Sequence, residues 1–115
     1  MKKRKLLPES ARKNASPEQN AAYAAALKQM IDCKTVWTKD GANREHYSRF
    51  YETVARLFPT MHRTAKRLTF GDGCFFYVIE GENAARNILL MSHHDVVDGG
   101  DGWDTDPFNA VEKDG

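Results

Sequence analysis

Ser92, His93, His94 and Asp95 stand directly after the apolar run Ile88, Leu89, Leu90 and Met91, and their types and spacing suit chemistry. A neutral imidazole is a good zinc ligand. Its other nitrogen commonly donates to a carboxylate, which fixes the ring's tautomer and raises its basicity. His93 and Asp95 have the spacing for such a pair, because residues two apart in an extended chain project to one side and the residue between them to the other. The same parity gives His94 a neighbouring hydrogen-bond or surface role. A His-His-Asp run alone suits a hydrogen-bonded structural role equally well, so the flanking residues must decide.

Upstream, residues 87–91 form a short continuous apolar run of the kind found in a strand buried on both faces. Ligands in open α/β sheets gather at the carboxyl ends of strands, where following loops converge on a rigid backbone. Downstream come Val96 and Val97, an acidic glycine-rich loop over 98–102, then Trp103, Pro107, Phe108, Asp114 and Gly115. Asp98, Asp101, Asp104 and Asp106 lack the terminal glutamate and full ligand set of a calcium-binding loop, which leaves a solvated loop. Trp103, Pro107 and Phe108 are expected to shape and pack it.

The elements that must position this strand end are legible earlier in the chain. Ser16, Pro17 and Gln19 make a helix start, with a hydroxyl cap, a proline where a missing N–H costs nothing, and a glutamine three residues after the cap. A helix over 17–32 follows, alanine-rich and suited to packing against a sheet. After a turn over 39–43, Tyr47, Phe50, Tyr51, Val54, Leu57 and Phe58 repeat at helical spacing until Pro59, an aromatic stripe read as core. Residues 67–70 and 74–79, flanking Gly71, Asp72 and Gly73, read as a β-hairpin; the glycine pair carries no phosphate-binding signature. His46 and His62 have no comparable context and are read as structural or exposed.

With 115 residues, 41% of them hydrophobic and 29% charged, the chain has the composition of one soluble domain or part of one. Residues 1–15 read as a flexible basic tail and 16–115 as the structured part. The tail lacks interleaved aromatics, so no nucleic-acid partner is expected. Pro8, Glu9 and Ser10 interrupt any secretory apolar segment after Leu7, and nothing approaches the roughly 20 apolar residues of a membrane span. Cys33 and Cys74 form neither a metal pattern nor a disulfide framework, and a cytoplasmic location is expected.

Taken together, Leu89-Leu90-Met91-Ser92-His93-His94-Asp95-Val96-Val97, Gly102-Trp103, Pro107-Phe108 and Asp114-Gly115 resemble the first metal motif of a known family. It comprises the zinc exopeptidases and amidohydrolases that include carboxypeptidase S, Gly-X carboxypeptidase, aminoacylase-1 and acetylornithine deacetylase. The order of elements over 16–115 is similar to the family's opening, and 58–81 looks most like the carboxypeptidase S branch. The resemblance implies an α/β fold, the amino-terminal part of a three-layer αβα catalytic domain. It implies His93 as a ligand to one of two zinc ions and Asp95 as its catalytic-site partner. The substrate implied is a peptide or an N-acyl amino acid, and the complete enzyme could be a homodimer. Asp98 replaces a frequent proline, and His94 stands where other residues are common. The bridging carboxylate, paired glutamates and further ligands would lie beyond Gly115, so the chain alone is expected to be inactive, poorly soluble or self-associating. The alternative is a non-catalytic binding or assembly module that keeps the family's opening fold.

Overall fold

The computed structural model describes residues 15–71, 73–83 and 85–113. Most of the basic tail, and the Asp114-Gly115 pair of the motif, lie outside the described residues.

Helix α1 (Pro17–Ile31) starts as its sequence dictates. The Ser16 hydroxyl accepts from the Gln19 N–H at 3.2 Å, and the Gln19 carboxamide accepts from the Ser16 N–H at 2.8 Å. These reciprocal bonds satisfy donors that the first turn would otherwise leave unpaired. Asp32 caps its end, and Lys34 turns the chain away with φ 56°. The close packing against a sheet expected of α1 is not seen among the described residues. The helix buries no residue, and it meets α2 (Arg44–Leu57) instead, with the Arg56 guanidinium donating to Gln29 Oε1 at 2.7 Å.

The stripe of α2 becomes core as expected, with Phe50 and Val54 buried beside Cys33 and with Met30, Tyr51, Met61, Phe75 and Tyr77 packed around them. Pro59 ends α2 and also begins a further helix that the sequence reading missed, α3 (Pro59–Thr64). The two facts share a cause. Proline disfavours helical geometry in the residue before it, here Phe58 at φ −122° and ψ 59°, while its own fixed φ suits a first helical position.

Strands β1 (Lys66–Phe70) and β2 (Cys74–Val78) form the expected antiparallel hairpin, in the register Phe70 to Cys74, Leu68 to Phe76 and Lys66 to Val78. One face carries Phe75 and Tyr77 into the core against α2 and α3; His62 Nδ1 lies 3.1 Å from the Tyr77 hydroxyl.

The buried strand expected over 87–91 requires correction. That segment is in no strand, and Ile88, Leu90 and Met91 are 89%, 89% and 83% exposed. Among the described residues no backbone lies alongside to take its N–H and C=O groups, and without pairing there is no second face to bury. Pairing begins five residues later, where Val96 forms a parallel bridge with Val36. The only sheet among the described residues is the hairpin, so the layers of an αβα sandwich are not displayed by them.

Phe50→Ala should cost about 3–5 kcal/mol by emptying the centre of this small core, whereas Ser16→Ala should cost about 1 kcal/mol through its lost cap. Urea unfolding of the two variants should show that order.

Candidate functional site

The connection between α1 and α2 holds the motif in place. Val96 N–H donates to the Thr35 carbonyl at 3.0 Å and Trp37 N–H donates to the Val96 carbonyl at 2.9 Å, the two bonds of the parallel bridge. The buried Thr35 hydroxyl donates to the His94 carbonyl. Thr35 is itself held, since its carbonyl accepts from the Tyr47 hydroxyl at 3.2 Å, and the Lys34 carbonyl next to it accepts from His46 Nδ1 at 2.8 Å. Thr35, Val36 and Trp37 lie between α1 and α2. Their β-branched and aromatic types were the available signal of strand-like pairing.

The structure brings His93 and Asp95 together. His93 Nδ1 lies 2.9 Å from the Asp95 carbonyl oxygen and 3.5 Å from Asp95 Oδ1. Both oxygens are acceptors, so Nδ1 carries the proton and Nε2 keeps its lone pair. The side chains are 84% and 55% exposed, and an ion pair so open to water adds little stability. Its effect is on the ring's tautomer and direction. His93 borders an apolar cleft of about 600 Å³ lined by Met30, Ile31, Val97, Trp103 and Phe108 among others. Asp95 borders a second cleft of about 500 Å³ with Trp37, Arg44 and Tyr47. Burial raises the Tyr47 phenol above its ordinary value, and the Asp95 charge adds to the rise.

His94 departs from the role expected for it. It takes neither a surface position nor a hydrogen bond through Nε2. Its ring stacks on Phe50 at 4.4 Å and 6°, with Tyr47, Tyr51 and Phe75 at 5.8, 6.2 and 5.7 Å. Nε2 is buried without a partner. The apolar rings of α2 and β2 offer a packed surface, and ring stacking there outweighs hydration of one nitrogen. The aromatic stripe of α2 was correctly read as core, but its spacing gave no sign that it also receives a histidine.

The loop after the motif is shaped as expected by its aromatic and proline residues. Trp103 Nε1 donates to the Gly99 carbonyl at 2.6 Å, and a Cβ on Gly99 would stand 2.5 Å from Pro107 Cγ, so the loop closes only over a glycine. Gly102 takes φ 92° just before Trp103. Asp106 accepts from the Phe108 N–H at 2.8 Å, a turn role for one of the four aspartates.

An exposed imidazole with a fixed Nδ1 proton fits one metal-ligand position. Among the described residues no group of three or more His, Cys, Asp or Glu side chains stands close enough to complete a metal site, and a catalytic zinc needs three protein ligands. Also among them, no helix is long and apolar enough to cross a membrane, and Cys33 and Cys74 are free thiols.

Over 105 residues the chain is similar to N-fatty-acyl-amino acid synthase/hydrolase PM20D1 of Bos taurus, at 32% identity, and to the Homo sapiens protein of that name, at 30%. The Mus musculus protein is 28% identical over the same length. Each match takes in 87% of this chain and 21% of the relative, so the chain spans about a fifth of the length of these curated relatives. No family model matches the chain, and no solved structure matches it. The similarity is thus to enzymes that by name form and hydrolyse N-acyl amino acids, and these three relatives do not carry the narrower likeness to carboxypeptidase S.

Burial lowers the His94 pKa below the ordinary histidine value, with the His93 charge adding to the lowering and Asp95 opposing it. The folded chain therefore resists a proton that the unfolded chain accepts. Stability from this group is fully present above about pH 6.5 and falls as pH drops below it, levelling off once the folded-state pKa is passed. Midpoints of urea unfolding between pH 8 and 5 should show this fall in the wild type, and the fall should be smaller in His94→Phe.

Proposed function

We propose that this chain carries the first metal motif of a zinc-dependent amidohydrolase acting on the amide bond of N-acyl amino acids. His93 is a zinc ligand through Nε2 and Asp95 is its orienting carboxylate. The observation that carries the reading is the His93–Asp95 pair, with Nδ1 on the Asp95 carbonyl oxygen at 2.9 Å, the Asp95 carboxylate 3.5 Å away, and His93 at the rim of an apolar cleft. The similarity to N-fatty-acyl-amino acid synthase/hydrolases supports the substrate class, and the apolar lining suits an acyl chain better than a charged peptide. Peptides with a free terminus are the neighbouring substrate class for the same amide chemistry.

In this reading each residue has a limited task. His93 presents a neutral nitrogen whose direction is set before metal arrives. The Asp95 carbonyl accepts the hydrogen bond from Nδ1, and the Asp95 carboxylate, 3.5 Å away, adds the negative charge that makes Nε2 a stronger donor to the metal. Zinc, when bound, would polarise the amide carbonyl and lower the pKa of a bound water. Val97, Trp103 and Phe108 keep water from one side of the cleft. The remaining ligands and a general base are to be supplied from outside the described residues, and the 115-residue chain is inactive by itself.

The test is an assay of the full-length product of the encoding gene, with zinc, on N-dodecanoyl-leucine and on a leucine dipeptide. Release of dodecanoate, lost on chelation and restored by zinc, is expected. Asp95→Asn should lower metal affinity or activity about 10–100-fold, and His93→Ala should lower it further. Cleavage of the dipeptide alone would move the substrate class to peptides, and chelator-resistant activity untouched by either variant would sink the zinc reading.

A further inference from the structure

Every histidine-carboxylate pair separated by one residue has the same problem: a freely rotating chain holds both side chains on one side only part of the time. The residue between them is the one that can fix the arrangement. In this chain that residue is His94, whose ring is packed among Phe50, Tyr47, Tyr51 and Phe75, with Phe50 stacked at 4.4 Å. Its carbonyl accepts from the buried Thr35 hydroxyl, and two residues later Val96 is bridged to Val36. Side chain and backbone of one residue are thus both secured, while its two neighbours stay exposed and in contact with each other.

We propose that His94 is the positioning residue of the motif: its ring, wedged into the aromatic box of α2 and β2, turns His93 and Asp95 outward together and holds the Nδ1–H tautomer of His93. The stacking supplies the anchor and Nε2 does not, since Nε2 of His94 makes no hydrogen bond in the box. A phenyl ring therefore serves the same purpose, and a small side chain does not. The consequence for metal binding rests on the reading of His93 as a ligand, whereas the anchor itself does not.

The experiment is imidazole ¹⁵N NMR on the metal-free 115-residue chain at pH 8, in the wild type, His94→Phe, His94→Leu and His94→Ala. The Nδ1–H form of His93 should be the major tautomer in the wild type and in His94→Phe, and should drop to a minor one in His94→Ala, with His94→Leu between. A folded His94→Phe that has lost the Nδ1–H form would overturn the proposal, as would a folded His94→Ala that keeps it. Should the alanine variant unfold, the comparison of His94→Phe with His94→Leu decides, because equal tautomer populations in those two would remove any need for the aromatic stack. Zinc plays no part in this readout. An expected tautomer series beside a failed zinc assay would leave the anchor standing and refute only the ligand.

Discussion

A single tie across the chain governs the geometry of the motif: residues 94–96 are held against Thr35, Val36 and Trp37, about sixty positions earlier in sequence. Closing so long a loop is entropically unfavourable, though the cost grows only slowly with length. It is met here by several contacts made at once: two bonds of a parallel bridge, one from the Thr35 hydroxyl, and a ring stacked on Phe50. The tie is supported by Lys28 Nζ, which donates to Asn109 Oδ1 at 2.6 Å, and by Lys34 over the Phe108 ring. The cleft beside His93 exists because α1, α2 and this loop are brought to one place by it.

The rest of the packing is sparse, which raises the weight of each contact near the tie. The buried hydrophobic cluster consists of Cys33, Phe50 and Val54 with partly buried neighbours. The radius of gyration of 17.8 Å exceeds the roughly 13 Å of a compact chain of about this length. Phe50 illustrates the economy of the arrangement, since it belongs to the core and is also the face on which His94 stacks. Core and motif therefore share a contact, and Phe50 is separated from the His93–Asp95 pair by one residue. Ile88, Leu90 and Met91 lead into this unit with almost no cover, an apolar edge of the kind that stable monomers seldom leave open.

The sequence was most readable where signals are local. The capping box at Ser16, the stripe of α2 and the hairpin around Gly71 are set by near neighbours in sequence; α1 and both strands formed within one residue of their expected bounds, and α2 begins three residues before its stripe. Pro59 was half legible: its power to stop a helix was recognised, its fitness to start one was not. Pairing across long distances was the illegible part. The apolar run 87–91 has the composition of a buried strand, but burial needs a partner, and composition does not say where the partner is. The partnership that did form, Val36 with Val96, joins two segments too short to announce themselves. For the motif, the spacing put His93 and Asp95 side by side, but the hydrogen bond runs to the Asp95 carbonyl in place of the expected carboxylate, and the surroundings of His94 were out of reach because its aromatic neighbours come from a helix and a hairpin.

His93 and His94 are adjacent and chemically identical, yet their surroundings give them opposite properties. One ring lies in water, with Nδ1 on the Asp95 carbonyl and the Asp95 carboxylate beside it. The other is enclosed by aromatic faces that disfavour its charged form and leave one nitrogen unpaired. Environment, more than residue type, decides what a titratable side chain does. The division also explains why the pair can tolerate so much exposure. His93 and Asp95 contribute little to stability and need not, because the residue between them is the one stacked on the core residue Phe50. The His93–Asp95 pair thus stays open to water while the ring between them is packed on Phe50.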